Sequence, residues 1–218
     1  MNSHSNDARA AILGRLRQAA GAGNVQERRQ AVLDGLAQAR SGAPLPVSDD
    51  LAERFCQRAQ QLNSSVERST GRDAVVPAVA RYLAAHGLGA QAVCSPELAA
   101  LDWAASGLAV AARPAQGDDA VGITGAFCAI AETGTLMLLS GPQTPASVSL
   151  LPETHIALVD AARIVPTMED AFALLRAERG GLPRSVNFVS GPSRTGDIEQ
   201  TLVLGAHGPC RVHLIVIG

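Results

Sequence analysis

The sequence contains no lysine, so all 18 of its basic side chains are arginine. Without lysine a protein cannot form a Schiff base with a carbonyl substrate or attach pyridoxal phosphate, and it cannot carry a G-x-x-x-x-G-K-[ST] phosphate loop. Codon preference in an arginine-rich genome is a sufficient cause of the bias. The exclusions hold whatever the cause.

Aromatic side chains are also scarce, since the 218 residues include one Trp, one Tyr and four Phe. The 18 basic side chains face 20 acidic ones, which gives a net charge of -2. Nucleic-acid binding normally needs a basic surface, and binding of single strands also needs rings on which bases stack. The composition therefore predicts no nucleic-acid partner.

The four cysteines lie far apart in the sequence, at Cys56, Cys94, Cys128 and Cys210. None belongs to a C-x-x-C pair, and none has a histidine at the spacing of a metal site. We therefore expect no metal and no iron-sulfur cluster within this chain, and thiols that stay reduced.

The start of the sequence lacks the basic and apolar blocks of a signal peptide, and the longest apolar run, Ala126–Ala131, stops at Glu132. A membrane-spanning helix needs about 20 apolar residues. The sequence therefore predicts a cytoplasmic protein without a membrane partner.

The first 44 residues differ in pattern from the rest. Apolar residues recur three or four positions apart on both sides of Gly21–Asn24, which predicts a helical hairpin, and the breaker-rich segment Ser41–Pro46 follows. We therefore divide the chain into an N-terminal helical arm, residues 1–44, and an α/β domain, residues 45–218. The arm is expected either to clasp the domain or to form a subunit contact.

After the arm, predicted helices alternate with predicted strands. Amphipathic helices are predicted over Asp73–His86 and Thr167–Glu178, and Thr167 and Asp170 can form a capping pair. The predicted strands are Gln91–Cys94, Gly107–Ala112, His155–Val159, Val186–Ser190 and Val212–Ile217. The alternation is typical of an α/β fold with a mostly parallel sheet, in which ligands bind beyond the carboxyl ends of the strands.

Three polar segments in the second half of the chain carry the candidate site residues. The first begins at Gly122–Gly125 and centres on Glu132, which apolar residues precede and Thr133-Gly134-Thr135 follows. A carboxylate partly removed from water suits a nucleophile or a proton carrier. The alternative is structural, with Glu132 accepting hydrogen bonds from turn amides and threonine hydroxyls.

The second segment, Ser190–Asp197, follows a predicted strand and precedes a helix predicted over Asp197–Leu202. Backbone N–H groups, hydroxyls and a guanidinium at a helix start can converge on a phosphate or carboxylate. The expected anion-binding residues are Thr133, Gly134, Thr135, Ser190, Gly191, Ser193, Arg194, Thr195 and Asp197. Alternatively, Thr195 or Asp197 only caps the helix while Arg194 pairs with Asp197 or Glu199.

The third segment, Gly205–Pro209, leads into the last predicted strand. Glycine turns on both sides are expected to hold His207 near the amino end of that strand, where an imidazole can exchange protons or donate to a bound anion. A turn histidine without a function is the alternative. Glu132 and His207 are thus the candidate catalytic residues, whereas His155 and His213 are interpreted as structural.

Four motifs taken together resemble the lactate-utilization protein C family, whose module is the LUD domain. They are Ile130–Thr135, Leu151–Ile156, Ser190–Glu199 and Gly205–Pro209. The resemblance implies a three-layer α/β/α sandwich similar to ribose-5-phosphate isomerase, CoA transferase and formyltetrahydrofolate cyclo-ligase. It also implies a role in oxidising L-lactate to pyruvate, beside two partner subunits that bear iron-sulfur clusters.

Two functions of different classes remain. In the first, the protein is the cluster-free subunit of a lactate-oxidising complex, and an anion-binding crevice holds substrate or docks a partner. In the second, it is a transferase or isomerase in its own right, with Glu132 as nucleophile or base on a CoA ester or phosphosugar. The absence of lysine disfavours polyphosphate ligands in the second case, although arginine substitutes in part.

Overall fold

A computed structural model describes residues 3–19, 24–37, 50–195 and 203–218. The chain divides into two compact units, Met1–Ala43 and Pro44–Gly218. The helices are α1 Ser3–Ala19, α2 Val25–Ala37, α3 Leu51–Gln61, α4 Val75–Ala85, α5 Ser147–Leu150 and α6 Met168–Arg179. The strands are β1 Ser65–Ser69, β2 Gln91–Cys94, β3 Ala109–Ala112, β4 Val121–Gly125, β5 Cys128–Ile130, β6 Thr135–Leu139, β7 Thr154–Asp160, β8 Ile164–Val165, β9 Val186–Val189, β10 Arg194–Thr195, β11 Val203–Leu204 and β12 Arg211–Ile217.

The first unit contains α1 and α2, which are the two helices that the periodicity predicts for the arm. Both helices carry exposed apolar side chains, among them Ile12, Leu16, Val32 and Leu33. Neither helix, nor any other in the described parts of the chain, is long and apolar enough to cross a membrane.

The second unit is built on a main sheet of six parallel strands in the order β1-β12-β7-β4-β2-β3. This confirms the α/β fold with a mostly parallel sheet. Strand β12 lies between β1 and β7, so that Leu214 is in register with both Val66 and Ala157.

Helix α4 covers one face of the main sheet. Its Val79 and Leu83 belong to one buried cluster with Ile123, Ile156 and Ile215, which lie on β4, β7 and β12 respectively. Alternate strand residues point to the same face, and each fully buried Val, Leu or Ile side chain contributes roughly 1.5–3 kcal/mol. This cluster therefore fixes which face of each strand points towards α4.

The opposite face is covered by α3 and by a second, smaller sheet in the order β8-β5-β6-β9. Phe55 and Ala59 of α3 lie in one buried cluster with Leu136 of the small sheet and Ala157 and Leu214 of the main sheet. Helix α6 covers the far side of the small sheet. The small sheet is antiparallel along β5-β6-β9 and was not among the elements that the sequence predicts.

The structure corrects one predicted segment and confirms another, and a third lies outside the described residues. Gly122–Gly125, assigned to a polar insertion, is part of the central strand β4, where Ile123 is fully buried and Gly122 packs on the backbone of Val148. The helix predicted over Asp197–Leu202 lies outside the described residues. The predicted helix over Thr167–Glu178 is confirmed as α6, with Thr167 and Asp170 forming the capping box.

Candidate functional site

The turn that carries Glu132 joins β5 to β6 in the small sheet. The Glu132 N–H donates to the Pro166 carbonyl at 3.0 Å, and the Gly134 N–H donates to the Ile130 carbonyl at 2.9 Å. These bonds fix the backbone of a tight turn and leave the half-buried Glu132 side chain at the surface of the domain.

The structure brings the first and second predicted segments into direct contact. Strands β6 and β9 run antiparallel, so Thr135, at the start of β6, lies beside Ser190, which follows β9. The two hydroxyl oxygens are 2.8 Å apart, and the Thr133 hydroxyl donates to Thr135 Oγ1 at 2.9 Å. A row of three hydroxyl groups therefore connects the Glu132 turn to the Ser190 loop.

The second and third segments are joined through the backbone. The Ser193 N–H donates to the Pro209 carbonyl at 2.8 Å, and the Gly205 N–H donates to the Ser193 carbonyl at 2.9 Å. Arg194, which is exposed, is in antiparallel register with Leu204. We call the three joined segments, Glu132–Thr135, Ser190–Thr195 and Gly205–Pro209, the motif cluster.

The motif cluster rests on the carboxyl-terminal end of α3. Gly134 and Gly191 both have positive φ values, 69° and 87°. A Cβ on Gly134 would stand 2.5 Å from the Ala59 nitrogen, and a Cβ on Gly191 would overlap the Leu62 carbonyl oxygen. Only glycine meets both demands at these positions, because other residues are strained at positive φ and need the space for a side chain.

The cluster lies at the amino ends of β1 and β12, whereas a parallel sheet usually binds its ligands at the carboxyl ends of the strands. Helix α3 leads through Leu62 directly to β1, and Pro209 precedes β12. The difference arises because β9, which carries Ser190, belongs to the small antiparallel sheet.

The structure places the remaining predicted residues as follows. His207 is exposed and lines a surface cavity of about 550 Å³ together with Glu153, Cys210 and Leu151. Thr195 is the second residue of β10. Asp197 lies outside the described residues.

A second cavity system, which the sequence argument missed, lies at the carboxyl ends of β2, β4 and β7. We call it the carboxyl-edge crevice. It has a polar lobe of about 70 Å³ and a larger lobe of about 430 Å³, which meet at Glu97, Gly125 and Ala126. Parallel sheets usually bind ligands at this edge.

Glu97 stands where the two lobes meet. It follows β2 by three residues, its N–H donates to the Gln143 carbonyl at 3.2 Å, and its Oε1 accepts the Gly125 N–H at 3.1 Å. Although Glu97 stays exposed at the mouth, the surrounding protein removes water from its carboxyl group and raises its pKa, an effect that the Gly125 hydrogen bond and the charge of Arg179 partly offset.

The polar lobe is rich in hydrogen-bonding groups from elements far apart in sequence. Arg179 is the last residue of α6, and Asn187 lies on β9. The hydroxyl side chains that line the lobe are those of Ser95, Thr124, Thr144 and Ser149, and all except Thr144 are buried.

Comparison with known proteins decides the family. The model of the LUD domain matches residues 22–217. This chain belongs to the LUD domain family.

Curated relatives of this LUD domain protein include several named Lactate utilization protein C. The one from Bacillus subtilis strain 168 is 42% identical over 100 residues, which are 44% of this chain and 42% of that protein. The one from Exiguobacterium sp. strain AT1b is 40% identical over 119 residues, 53% of this chain and 52% of that protein. The chain thus spans about half or less of the length of the curated relatives it matches.

A solved structure agrees with the fold. A DUF162 family protein from Deinococcus radiodurans superposes with a TM-score of 0.57 over 79% of this chain and 100% of that one, at 24% sequence identity. At this identity the likeness bears on the fold of the LUD domain alone.

Thr124, which lines the polar lobe of this LUD domain, belongs to a buried hydroxyl-imidazole pair. His155 is fully buried, and its Nε2 lies 2.8 Å from Thr124 Oγ1. Burial lowers the pKa of His155 to about 4, so the imidazole is neutral near pH 7. Its Nδ1 has no hydrogen-bond partner among the described residues.

We assign the proton of the neutral ring to Nε2 from the hydrogen bonds around it. A buried N–H without a partner costs more than a lone pair without one, so the unpartnered Nδ1 is the deprotonated nitrogen. Nε2 therefore donates to Thr124 Oγ1, which leaves the Thr124 hydroxyl proton free to donate into the lobe. Among the described residues, no group of three or more His, Cys, Asp or Glu side chains is placed to hold a metal ion.

Proposed function

We propose that this protein is the cluster-free subunit of an iron-sulfur-dependent system that oxidises L-lactate to pyruvate in the cytoplasm. Membership of the LUD domain family and relatives named Lactate utilization protein C support this role. The reaction removes two electrons and two protons from lactate, and clusters in partner subunits would accept the electrons.

The motif cluster is proposed to hold an anion, a carboxylate or a phosphate. The observation that carries this part is the 2.8 Å contact between Thr135 and Ser190, which joins two separate motifs. Arg194 is exposed four residues after Ser190 and would supply a bidentate, charge-assisted contact. Glu132 and His207 are the proposed proton carriers at this cluster.

A genetic experiment tests the role in lactate metabolism. The gene is deleted in its host, and growth on L-lactate as sole carbon source is compared with growth on glucose. We expect the deletion strain to grow on glucose but not on L-lactate. The wild-type gene should restore its growth on L-lactate. Normal growth of the deletion strain on lactate would rule the role out.

Complementation tests the anion site. Arg194→Ala should fail to restore growth, whereas Arg184→Ala, which removes an exposed arginine before β9, should restore it. With purified chains, loss of the Arg194 contact should weaken binding of inorganic phosphate about ten- to hundred-fold. An unchanged melting temperature without phosphate shows that the variant is folded. Wild-type growth and phosphate binding by Arg194→Ala would contradict the site.

Purification of a tagged chain from its host without oxygen tests the partners. We expect iron-sulfur proteins to co-purify. If the chain instead purifies without them and alone converts a CoA ester or a phosphosugar in a reaction that Glu132→Gln abolishes, it is a transferase or isomerase.

A further inference from the structure

The polar lobe of the carboxyl-edge crevice brings a carboxyl group and a guanidinium group to one small space. Glu97 follows β2 and Arg179 ends α6, yet both line the lobe. Of the close ion pairs in the described ranges, none involves Arg179, so its charge is available to a ligand. Within the described parts of the chain, the hydrogen bond donated to the Glu97 carboxyl group comes from the Gly125 N–H, and the carboxyl group keeps further acceptor capacity.

The size of the lobe limits what it can hold. Its volume of about 70 Å³ corresponds to roughly five water-sized groups, because one water needs about 10–15 Å³ by the same measure. A short organic acid fits this space, and a nucleotide does not. The larger lobe, which begins at Gly125 and Ala126 and includes Leu98 and Leu158, offers an apolar surface for a substituent.

Charge and hydrogen bonding favour one kind of acid. The carboxylate of the acid can pair with Arg179, but an acid with no other polar group donates no hydrogen bond to the Glu97 carboxylate. A hydroxyl group next to the carboxylate of the acid supplies this bond, because it donates to Glu97 and accepts from the Thr124 hydroxyl. Such an acid satisfies all three side chains at once.

We propose that the polar lobe binds a short 2-hydroxycarboxylate, whose carboxylate contacts Arg179 and whose hydroxyl donates to Glu97. The site is separate from the motif cluster, and the choice of L-lactate as its ligand rests on the proposed function. Gly125 is part of the site, because a Cβ at this position would stand 2.5 Å from Glu97 Oε1.

Calorimetric titration of the full chain with L-lactate and with propionate tests the proposal, since propionate lacks only the hydroxyl group. We expect L-lactate to bind at least ten-fold more tightly than propionate. Arg179→Ala should weaken binding of both acids at least ten-fold. Arg176→Ala, on the same helix but outside the crevice lining, should bind like the wild type.

Glu97→Gln tests the hydroxyl contact. Its amide oxygen can still accept the Gly125 N–H, but its NH₂ donates where a carboxylate oxygen accepted, so the preference for L-lactate should fall below three-fold. Glu169→Gln, at an exposed position, should keep the full preference. Gly125→Ala displaces the Glu97 carboxyl group by a different route and should have the same effect as Glu97→Gln.

Equal affinity for the two acids, or wild-type binding by Arg179→Ala, would overturn the proposal. Loss of lactate binding in Arg194→Ala, with binding kept in Arg179→Ala, would overturn it in favour of the motif cluster. Growth of the deletion strain on lactate would contradict the proposed function only, because the titration does not depend on metabolism.

Discussion

Gly191 packs against the carbonyl group of Leu62, the C-cap residue of α3, and no side chain fits between them. Gly134 makes the equivalent approach to Ala59 one turn earlier. Two loops that are more than fifty residues apart in sequence therefore pack against the carboxyl-terminal end of the same helix. The position of the motif cluster depends on these two close approaches.

Gly134→Ala and Gly191→Ala should each lower the free energy of unfolding by about 2–4 kcal/mol, since each adds strain at positive φ and overlap with α3. Gly180 is the matched control. Its φ is also positive, at 65°, but nothing lies within 4 Å of a Cβ there. Gly180→Ala should cost only about 1–2 kcal/mol in the same urea unfolding experiment. Equal costs at the three positions would show that α3 does not restrict the loops.

Stability should fall as the pH decreases from 7 to 5. Burial lowers the pKa of both His155 and His213 to about 4, against about 6.5 for an exposed imidazole. Between these values the unfolded chain binds more protons than the folded chain, so the stabilisation is present above pH 6.5 and is lost towards pH 4. Each histidine should remove about 2 kcal/mol between pH 7 and pH 5.

Denaturant unfolding of His213→Gln at the two pH values checks this assignment. The variant should lose about 2 kcal/mol less than the wild type between pH 7 and pH 5, whatever its stability at pH 7. His207→Gln, at an exposed position, should lose as much as the wild type. A pH-independent free energy of unfolding in the wild type would contradict the prediction.

One of the four thiols should react much faster than the others. Cys210 is partly exposed, whereas Cys56, Cys94 and Cys128 are buried. Burial also raises the pKa of Cys94 and Cys128 to about 11, so little of the reactive thiolate forms at pH 8. A thiol-reactive chromogenic disulfide should show one fast equivalent, which Cys210→Ser removes. Two or more fast equivalents in the folded protein would contradict the burial of the others.

The isolated chain is predicted to be colourless and free of iron. The four cysteines lie on α3, β2 and β5 and before β12, and they offer no C-x-x-C pair to a cluster. Elemental analysis and the visible spectrum after purification without oxygen measure this directly. Stoichiometric iron with a cluster absorption band would refute the assignment of the clusters to partner subunits.

Deletion of residues 1–44 should leave a cooperative thermal transition but impair assembly with partners. Among the described residues, the buried clusters of the α/β domain are formed by Leu51 and later residues. Deletion of residues 1–61 is the comparison, because it also removes Phe55 and Ala59 from the core. A molten chain after the shorter deletion would place the arm within the core, and unimpaired co-purification would show that the arm is dispensable.

The parts of the fold that the sequence predicts are those with a clear period or cap. Strand β2, strand β9 and helix α6 were predicted to within one residue, because their apolar patterns end at turn or capping residues. The small sheet was missed for a physical reason. Strand β5 has three residues, all fully buried because α3 covers one face and α6 the other, so it shows no alternation.

The two candidate sites differ in how far the sequence could predict them. Thr135 and Ser190 each belong to a motif that is continuous in sequence, so both residues could be predicted as site residues. The crevice combines Glu97, Gly125 and Arg179 from three distant segments, and only the folded chain brings them together. The available signal was the Ser95-Pro96-Glu97 sequence after the carboxyl end of β2, which is where a parallel sheet places ligand-binding side chains.

The order of strands in the main sheet has a consequence for synthesis of the chain. Strand β12 is translated last of the six, yet it is the strand that links β1 to β7. At about 5–20 residues per second, β1 waits roughly 7–30 s on the ribosome for its neighbour. During this interval the edges of β1 and β7 that β12 will cover lack their partner, and unpaired strand edges can pair between nascent chains.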